Sequence, residues 1–339
     1  MNLQARIKGF VALGQQLSDP NNALLNEAKS EAYRQNAWFL PEFIDQAIQQ
    51  IREQYLQQEA LEAWTAGYPS ISDQATHLKV GIVMAGNIPL VGFHDLLSTL
   101  IAGHTAVVKR SSKDQVLTDF IIASLIQINP AFEAQLLVQE QLKNCDAYIA
   151  TGGNTAGNYF EYYFGKFPNI IRKNKTSIAV LDGSETLSEL ANLADDCMLY
   201  YGMGCRNVTQ IWVPEGYDFI PFLTALKKYN YLLDQHKYKH NYDYQLALLM
   251  MGKKLYMDSG GVLMSENPSP FAAISHIHYQ QYQLGALPTF NLDEIQCVVG
   301  KNELPFGSLQ KPLLAQYADG VDSLAFLTSL KQVLERTIC

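Results

Sequence analysis

Apolar and polar residues alternate along the chain with two periods, one in its first fifth and another afterwards. Over residues 1 to 68, apolar positions recur at helical spacing among Gln, Glu and Ala, as in "LPEFIDQAIQQIREQYLQQEALEAW", where Pro41 suits a first helical turn. This stretch is expected to be a helical lead-in. From "LKVGIVMAG" onward, short β-branched runs ("TAVVKR", "DAYIATGG", "TSIAVLDG") alternate with longer helix-like segments ("DQVLTDFIIASLIQI", "NYFEYYFGKF"). That alternation predicts a parallel sheet covered by helices. A second α/β block begins near "SETLSELANLADDCMLYYGMGC" and runs through "VTQIWVP", "YDFIPFLTALKKYNYLLD", "IQCVVG" and the turn "LPFGSLQKP". Its strand order is not readable from spacing. With no internal repeat or linker to mark a boundary, the expected division is 1–181, 182–315, and a C-terminal helix over 316–339 packing back on the body.

Composition narrows the classes. The 339 residues are 48% hydrophobic and 17% charged, in the range of a packed globular protein and large enough for two cores. A net charge of −8 without a Lys/Arg stripe argues against a nucleic-acid partner. Five cysteines at irregular spacing, without C-x-x-C, fit reduced thiols better than a disulfide or zinc framework. "MNLQARIKGFVALGQQL" interleaves polar residues with its apolar ones, and no run of about 18 apolar residues occurs, so neither a signal peptide nor a membrane span is expected and a cytoplasmic location is.

Several residues invite chemistry, each with a plainer alternative. In "YYGMGCRNVTQIWVP", Gly202 and Gly204 leave the approach to Cys205 unblocked, and Arg206 or a helix terminus can favour the thiolate a nucleophile needs. A buried structural cysteine is the commoner case. "YIATGGNTAGNYF" reads as a strand ending in a Gly-rich turn that opens a helix, a layout able to meet a phosphate or ribose, or simply a tight turn. "VGIVMAGNIP" delivers Asn87 to the carboxyl edge of a sheet, as an oxyanion donor or a helix cap. Lys109 reaches the same edge from the next strand. His276 and His278 alternate as on one strand face, His240 sits in an ordinary "KYKHNYDYQ" surface, and Cys197 stands at no metal-ligand spacing from Cys205.

As a set, "GNIP", "AGHTAVVKRSS", "TGGN" and "GMGC", in that order, resemble the motifs of the aldehyde dehydrogenase superfamily, and "GNIPLV" with a strand ending in Lys and serines is closer still to its LuxC-like acyl-CoA reductase branch. The resemblance covers residues 80 to 215 well. It implies an aldehyde-dehydrogenase-like α/β fold, with a Rossmann-type cofactor domain ahead of a catalytic cysteine domain, and possession of the family's site. Cys205 would be the acyl-accepting nucleophile, and Asn87 with the Cys205 N–H the oxyanion hole. Lys109 and Ser112 would face the adenosine ribose. With Ser112 where hydrolytic members carry Glu, and Arg110 beside it, NADPH is expected, with NADH as the alternative. Gly152 and Gly153 occupy the Thr-Gly-Ser turn, with Gly in place of Ser.

Two departures from the superfamily pattern shape the expectation. "RKNKTSIAVLDG", which stands for the Glu-Leu-Gly-Gly stretch, has no acidic residue before Asp182, so thioester hydrolysis lacks its base and transfer to or from coenzyme A becomes the second half-reaction. Arg172, Lys173 and Lys175 there meet CoA or cofactor phosphates, or form a solvated basic loop. "LDEIQCVVG" matches the Glu-Ile-Phe-Gly-Pro segment in part and assigns Glu294 to the nicotinamide ribose, but Pro305 of the later Pro-Phe-Gly turn follows only 11 residues on. The expectation is an NADPH-dependent acyl-CoA reductase, with a CoA-acylating aldehyde dehydrogenase or a silent acyl- or nucleotide-binding scaffold as alternatives. The family analogy allows a homo-oligomer.

Overall fold

The computed structural model describes residues 1–71, 78–283, 285 and 288–338, and it divides into two compact units, residues 1–174 with 313–339, and residues 175–312. Four helices open the first unit: α1 (Leu3–Ser18), α2 (Ala23–Gln35), α3 (Pro41–Gln50) and α4 (Gln58–Ala66). Asn2 and Asn22 cap α1 and α2, each accepting a backbone N–H of the first turn. The long periodic stretch is not one helix: a wide π turn over Ile51–Tyr55 separates α3 from α4 while keeping Ile51 and Leu56 in the core.

The sheet of this unit holds β1 (Lys79–Val83), β2 (Thr105–Lys109), β3 (Leu136–Val138), β4 (Ala147–Thr151) and β5 (Asn169–Arg172), all parallel, in the order β3-β2-β1-β4-β5. Helices α5 (Phe93–Ile101), α6 (Gln115–Ile128) and α7 (Asn154–Phe164) connect the strands. The chain builds outward from β1 to one side, then returns to build outward from β4 on the other. The loops after β1 and β4 therefore leave the carboxyl edge where the order reverses, the place at which open α/β sheets take ligands. The C-terminal segment is fastened to this unit by polar contacts: His94 Nε2 lies 2.9 Å from the Leu314 carbonyl, His104 Nε2 2.9 Å from that of Leu327, and the Tyr68 hydroxyl donates to Asp322 at 2.6 Å.

In the second unit, β6 (Thr176–Val180), β7 (Val208–Pro214), β8 (Met257–Asp258), β9 (Leu263–Glu266), β10 (His276–Tyr282) and β11 (Ile295–Gly300) form a sheet in the order β11-β6-β7-β10-β9-β8, parallel except for β8. With it go α8 (Leu187–Met198), α9 (Ile220–Leu226) and α10 (His236–Met251). "TSIAV" is thus the first strand of the second sheet, and the division between units falls one strand before residue 182. A strand buried on both faces reads as the same apolar run in either sheet, so its pattern carries no information about which one it joins. Among the described residues, no helix is long and apolar enough to cross a membrane.

Candidate active site

In the first unit, Asn87 lies on the loop after β1, and Gly152 and Gly153 on the loop after β4. Lys109 ends β2 in register with Val83, so its exposed side chain stands on the same carboxyl edge, with exposed Ser112 just beyond. The Asn87 turn is tight: a Cβ on Gly86 would come within 2.3 Å of the Ser111 hydroxyl. Leu90 is left-handed, with φ 55°. That costs about 1 kcal/mol or more for a non-glycine residue, and Asp114 holds it by accepting the Leu90 N–H at 2.7 Å. Burial pushes the Asp114 carboxyl up to about 7, against the pull of that hydrogen bond.

The cations of this unit are more committed than their sequence positions imply. Arg110 pairs with Asp119, and its Nη2 lies 3.7 Å from Glu140. Arg172 is buried instead of belonging to a solvated loop: Nη1 bonds Asp95 at 2.7 Å and Thr151 Oγ1 at 3.4 Å, while its carbonyl accepts the Gly152 N–H. It ties the first turn of α5 to the ends of β4 and β5, and so supports both loops. Lys173 pairs with Glu161 at 2.8 Å. Gly153 caps α7, and a Cβ added there meets nothing within 4 Å, whereas on Gly152 it would lie 2.9 Å from the Ala156 Cβ. Open space above a helix N-terminus at a sheet switch point fits the phosphates of a dinucleotide.

In the second unit the chain leaves α8 through three successive left-handed residues, Tyr200 (φ 56°), Tyr201 (φ 58°) and Gly202 (φ 74°), before reaching Cys205. Such backbone persists only where its surroundings over-determine it. Fully buried Asn207 supplies much of that constraint. Its Oδ1 accepts the Gly204 N–H at 2.8 Å, and its Nδ2 donates to the carbonyls of Asp196 and Leu199, both at 2.9 Å. The Asn207 N–H returns to the Gly204 carbonyl at 3.0 Å, and Ser177 Oγ donates to the Cys205 carbonyl at 3.0 Å. Asp196, buried alongside, accepts the N–H groups of Gly307 at 2.6 Å and Leu309 at 3.2 Å, which binds the Pro-Phe-Gly turn to the end of α8. Burial pushes its carboxyl up to about 7.

Glu294 comes to the same edge as Cys205. Strands β11, β6 and β7 are parallel neighbours, and at their amino ends the Thr176 N–H donates to the Glu294 carbonyl at 3.0 Å and the Ser177 N–H to that of Asn207 at 3.0 Å. Asp182 lies beyond the other end of β6, about 15 Å of strand away, engaged by Ser184 and Lys301. The thiols separate clearly. Cys205 is half-buried, while Cys145, Cys197 and Cys297 are buried. Burial raises all three of those, Cys145 to about 11, and at Cys297 the Arg206 guanidinium, 3.3 Å from its sulfur, opposes the rise. His276 bonds Ser265, His278 bonds the Ser269 carbonyl, and burial lowers both, His276 to about 4. Among the described residues, no three metal-ligating side chains gather into a site.

In the second unit a half-buried thiol stands in a braced turn with Glu294 at the same sheet edge, and in the first an open glycine turn stands at a switch point. The sequence model of the family described as acyl-CoA reductase (LuxC) matches residues 20–221, which include Asn87, Lys109, Gly152 and Cys205 but not Glu294. The chain belongs to that family. The long-chain acyl-protein thioester reductase of Aliivibrio fischeri is 23% identical over 206 residues, covering 56% of this chain and 40% of the relative. The chain spans about two fifths of the length of the curated relatives it matches. Among solved structures, Mycobacterium tuberculosis aldehyde dehydrogenase complexed with NAD+ aligns with TM-score 0.59 and 14% identity over 84% of this chain and 69% of that one. Rhodopseudomonas palustris propionaldehyde dehydrogenase with bound propionyl-CoA aligns with TM-score 0.54 and 13% identity over 84% and 71%. The fold is that of the aldehyde dehydrogenases.

Proposed function

We propose that this chain reduces an acyl thioester, a fatty acyl-CoA, to the aldehyde through an acyl-enzyme on Cys205, with NADPH as reductant. The observation that carries the reading is the contrast among the described thiols: a half-buried Cys205 in a heavily braced turn, against Cys145, Cys197 and Cys297, which are buried and whose ionisation burial opposes. In this mechanism the Cys205 thiolate adds to the thioester carbonyl, the Asn87 amide and the Cys205 N–H carry the oxyanion, and the bond to CoA breaks as its sulfur leaves. NADPH, when bound, supplies the hydride that converts the acyl group to the aldehyde level. Cys205 then releases the aldehyde as the thiohemiacetal collapses and the thiolate reforms.

The other residues bind and exclude. Gly152, Gly153 and the α7 N-terminus take cofactor phosphate, Lys109 and Ser112 the adenosine ribose, and Glu294 the nicotinamide ribose. Because Asp119 already engages Arg110, the preference for NADPH rests more on Ser112 sparing a 2′-phosphate from repulsion than on a dedicated cation. Asp182, at the far end of β6, is badly placed to activate water, which favours thiol exchange over hydrolysis. The names of the curated relatives favour a second donor, an acyl group carried on a protein. The test compares palmitoyl-CoA with a palmitoylated carrier protein as substrate. NADPH consumption matched by aldehyde and abolished by Cys205→Ala is expected with palmitoyl-CoA; turnover of the acyl-protein alone would move the reading to that donor, and consumption unaffected by Cys205→Ala would end it.

A further inference from the structure

We propose that Asn207 is a positioning residue that aims the main-chain N–H of Cys205 at the oxygen of the bound thioester; the inference rests on the Cys205 acyl-enzyme reading. The Asn207 N–H donates to the Gly204 carbonyl at 3.0 Å, closing a four-residue turn with Cys205 and Arg206 at its centre. The Gly204 carbonyl and the Cys205 N–H belong to one peptide plane, and in a trans peptide these two groups point in opposite directions. With the carbonyl turned toward Asn207, the Cys205 N–H is turned away from it.

The same residue fixes the preceding plane, since its Oδ1 accepts the Gly204 N–H at 2.8 Å. What keeps the carboxamide itself from rotating is the other end of the group: Nδ2 is held by the Asp196 and Leu199 carbonyls, both at 2.9 Å. Rotation would set Oδ1 against those carbonyls. The Asn207 side chain thus orients the plane between residues 203 and 204, and by fixing where residue 207 sits it also places the main-chain N–H that orients the next plane, the one ahead of the nucleophile. Hydrogen bonds weaken steeply as donors swing off axis, so a small rotation of the 204–205 plane removes most of an oxyanion donor while leaving the sulfur in place.

The test measures two rates on each protein: acylation of Cys205 by palmitoyl-CoA, which develops an oxyanion, and alkylation by iodoacetamide, which displaces iodide from a tetrahedral carbon and develops none. In Asn207→Asp an oxygen faces the two carbonyls in place of the donor, and in Asn207→Ser both of those donors are lost. Acylation is expected to fall about 100-fold in either variant, with alkylation within about threefold of the parent. Asn207→Ser serves if Asn207→Asp does not fold. Parallel losses in both rates would make Asn207 a purely structural brace and overturn the proposal, as would unchanged acylation. A parent protein that is alkylated but never acylated would reject the acyl-enzyme reading and this inference together, whereas an acylated parent with an unchanged ratio rejects the inference alone.

Discussion

The Asn87 loop of the first unit and the Cys205 turn of the second solve the same problem with different chemistry. Each contains left-handed residues that are not glycine, Leu90 in one and Tyr200 with Tyr201 in the other, and each is held by a buried polar side chain that follows them in the chain. At Leu90 the holder is a carboxyl group, Asp114, that accepts one N–H. In the Cys205 turn it is a neutral amide, Asn207, that accepts one N–H and donates to several carbonyls. A carboxyl holder titrates and an amide does not. Asn87 is therefore carried on a loop whose anchor responds to pH, while Cys205 sits in a turn whose immediate brace does not.

The sharpest way to break the comparison is at the donors themselves. Asn87→Ala is expected to slow Cys205 acylation by about 100- to 1,000-fold while iodoacetamide alkylation of the same thiol stays near the parent rate. Equal loss in both would mean that Asn87 only holds the loop. Next comes the titration of the anchors. Asp114 and Asp196 each have a folded value near 7, raised from an ordinary value of 3.8. The folded state then keeps these protons longer than the unfolded chain does. Their contribution to stability is greatest below about pH 4, declines as pH rises toward 7 and levels off above it, each ionisation costing on the order of 2–4 kcal/mol. Asp114→Asn and Asp196→Asn should each flatten this decline in denaturant melts taken across that range. A variant with the parent's pH slope would show that its carboxyl ionises normally.

The smallest effect separates the two glycines of the β4 loop. Gly153→Ala places a methyl in open space, so its melting temperature should match the parent's, while cofactor binding measured by calorimetry weakens about tenfold as the methyl crowds the phosphate site, roughly 1.4 kcal/mol. Gly152→Ala forces a methyl against Ala156 and Phe160, and the expected loss is in stability. If both variants lost stability alone, the turn would be packing and not a cradle.

How much of this was readable in the sequence follows from the range of the interactions. Strands β1, β2, β4, β6 and β7 announce themselves as short apolar runs, because parallel strands are buried on both faces. Strand β5, "NIIR", is too short and too close to "KNK" to stand out, and its Arg172 reads as the start of a basic loop until Asp95, 77 positions earlier, neutralises it. Asn87, Lys109 and Cys205 are legible because their motifs are local. Asp114 and Asn207 are not: Asp114 looks like the cap of α6, yet its partner is Leu90, and Asn207 looks like the residue before a strand, yet it closes the end of α8. Only tertiary contacts distinguish those roles, 24 positions apart for Asp114 and up to 11 for Asn207, and residue type alone holds no trace of them.

The account depends most on the reactivity of one thiol. Intact mass of the protein after incubation with palmitoyl-CoA, without NADPH, tests it directly. A single palmitoyl adduct that is absent from Cys205→Ala is the predicted result; no adduct, or an adduct that survives Cys205→Ala, would contradict it.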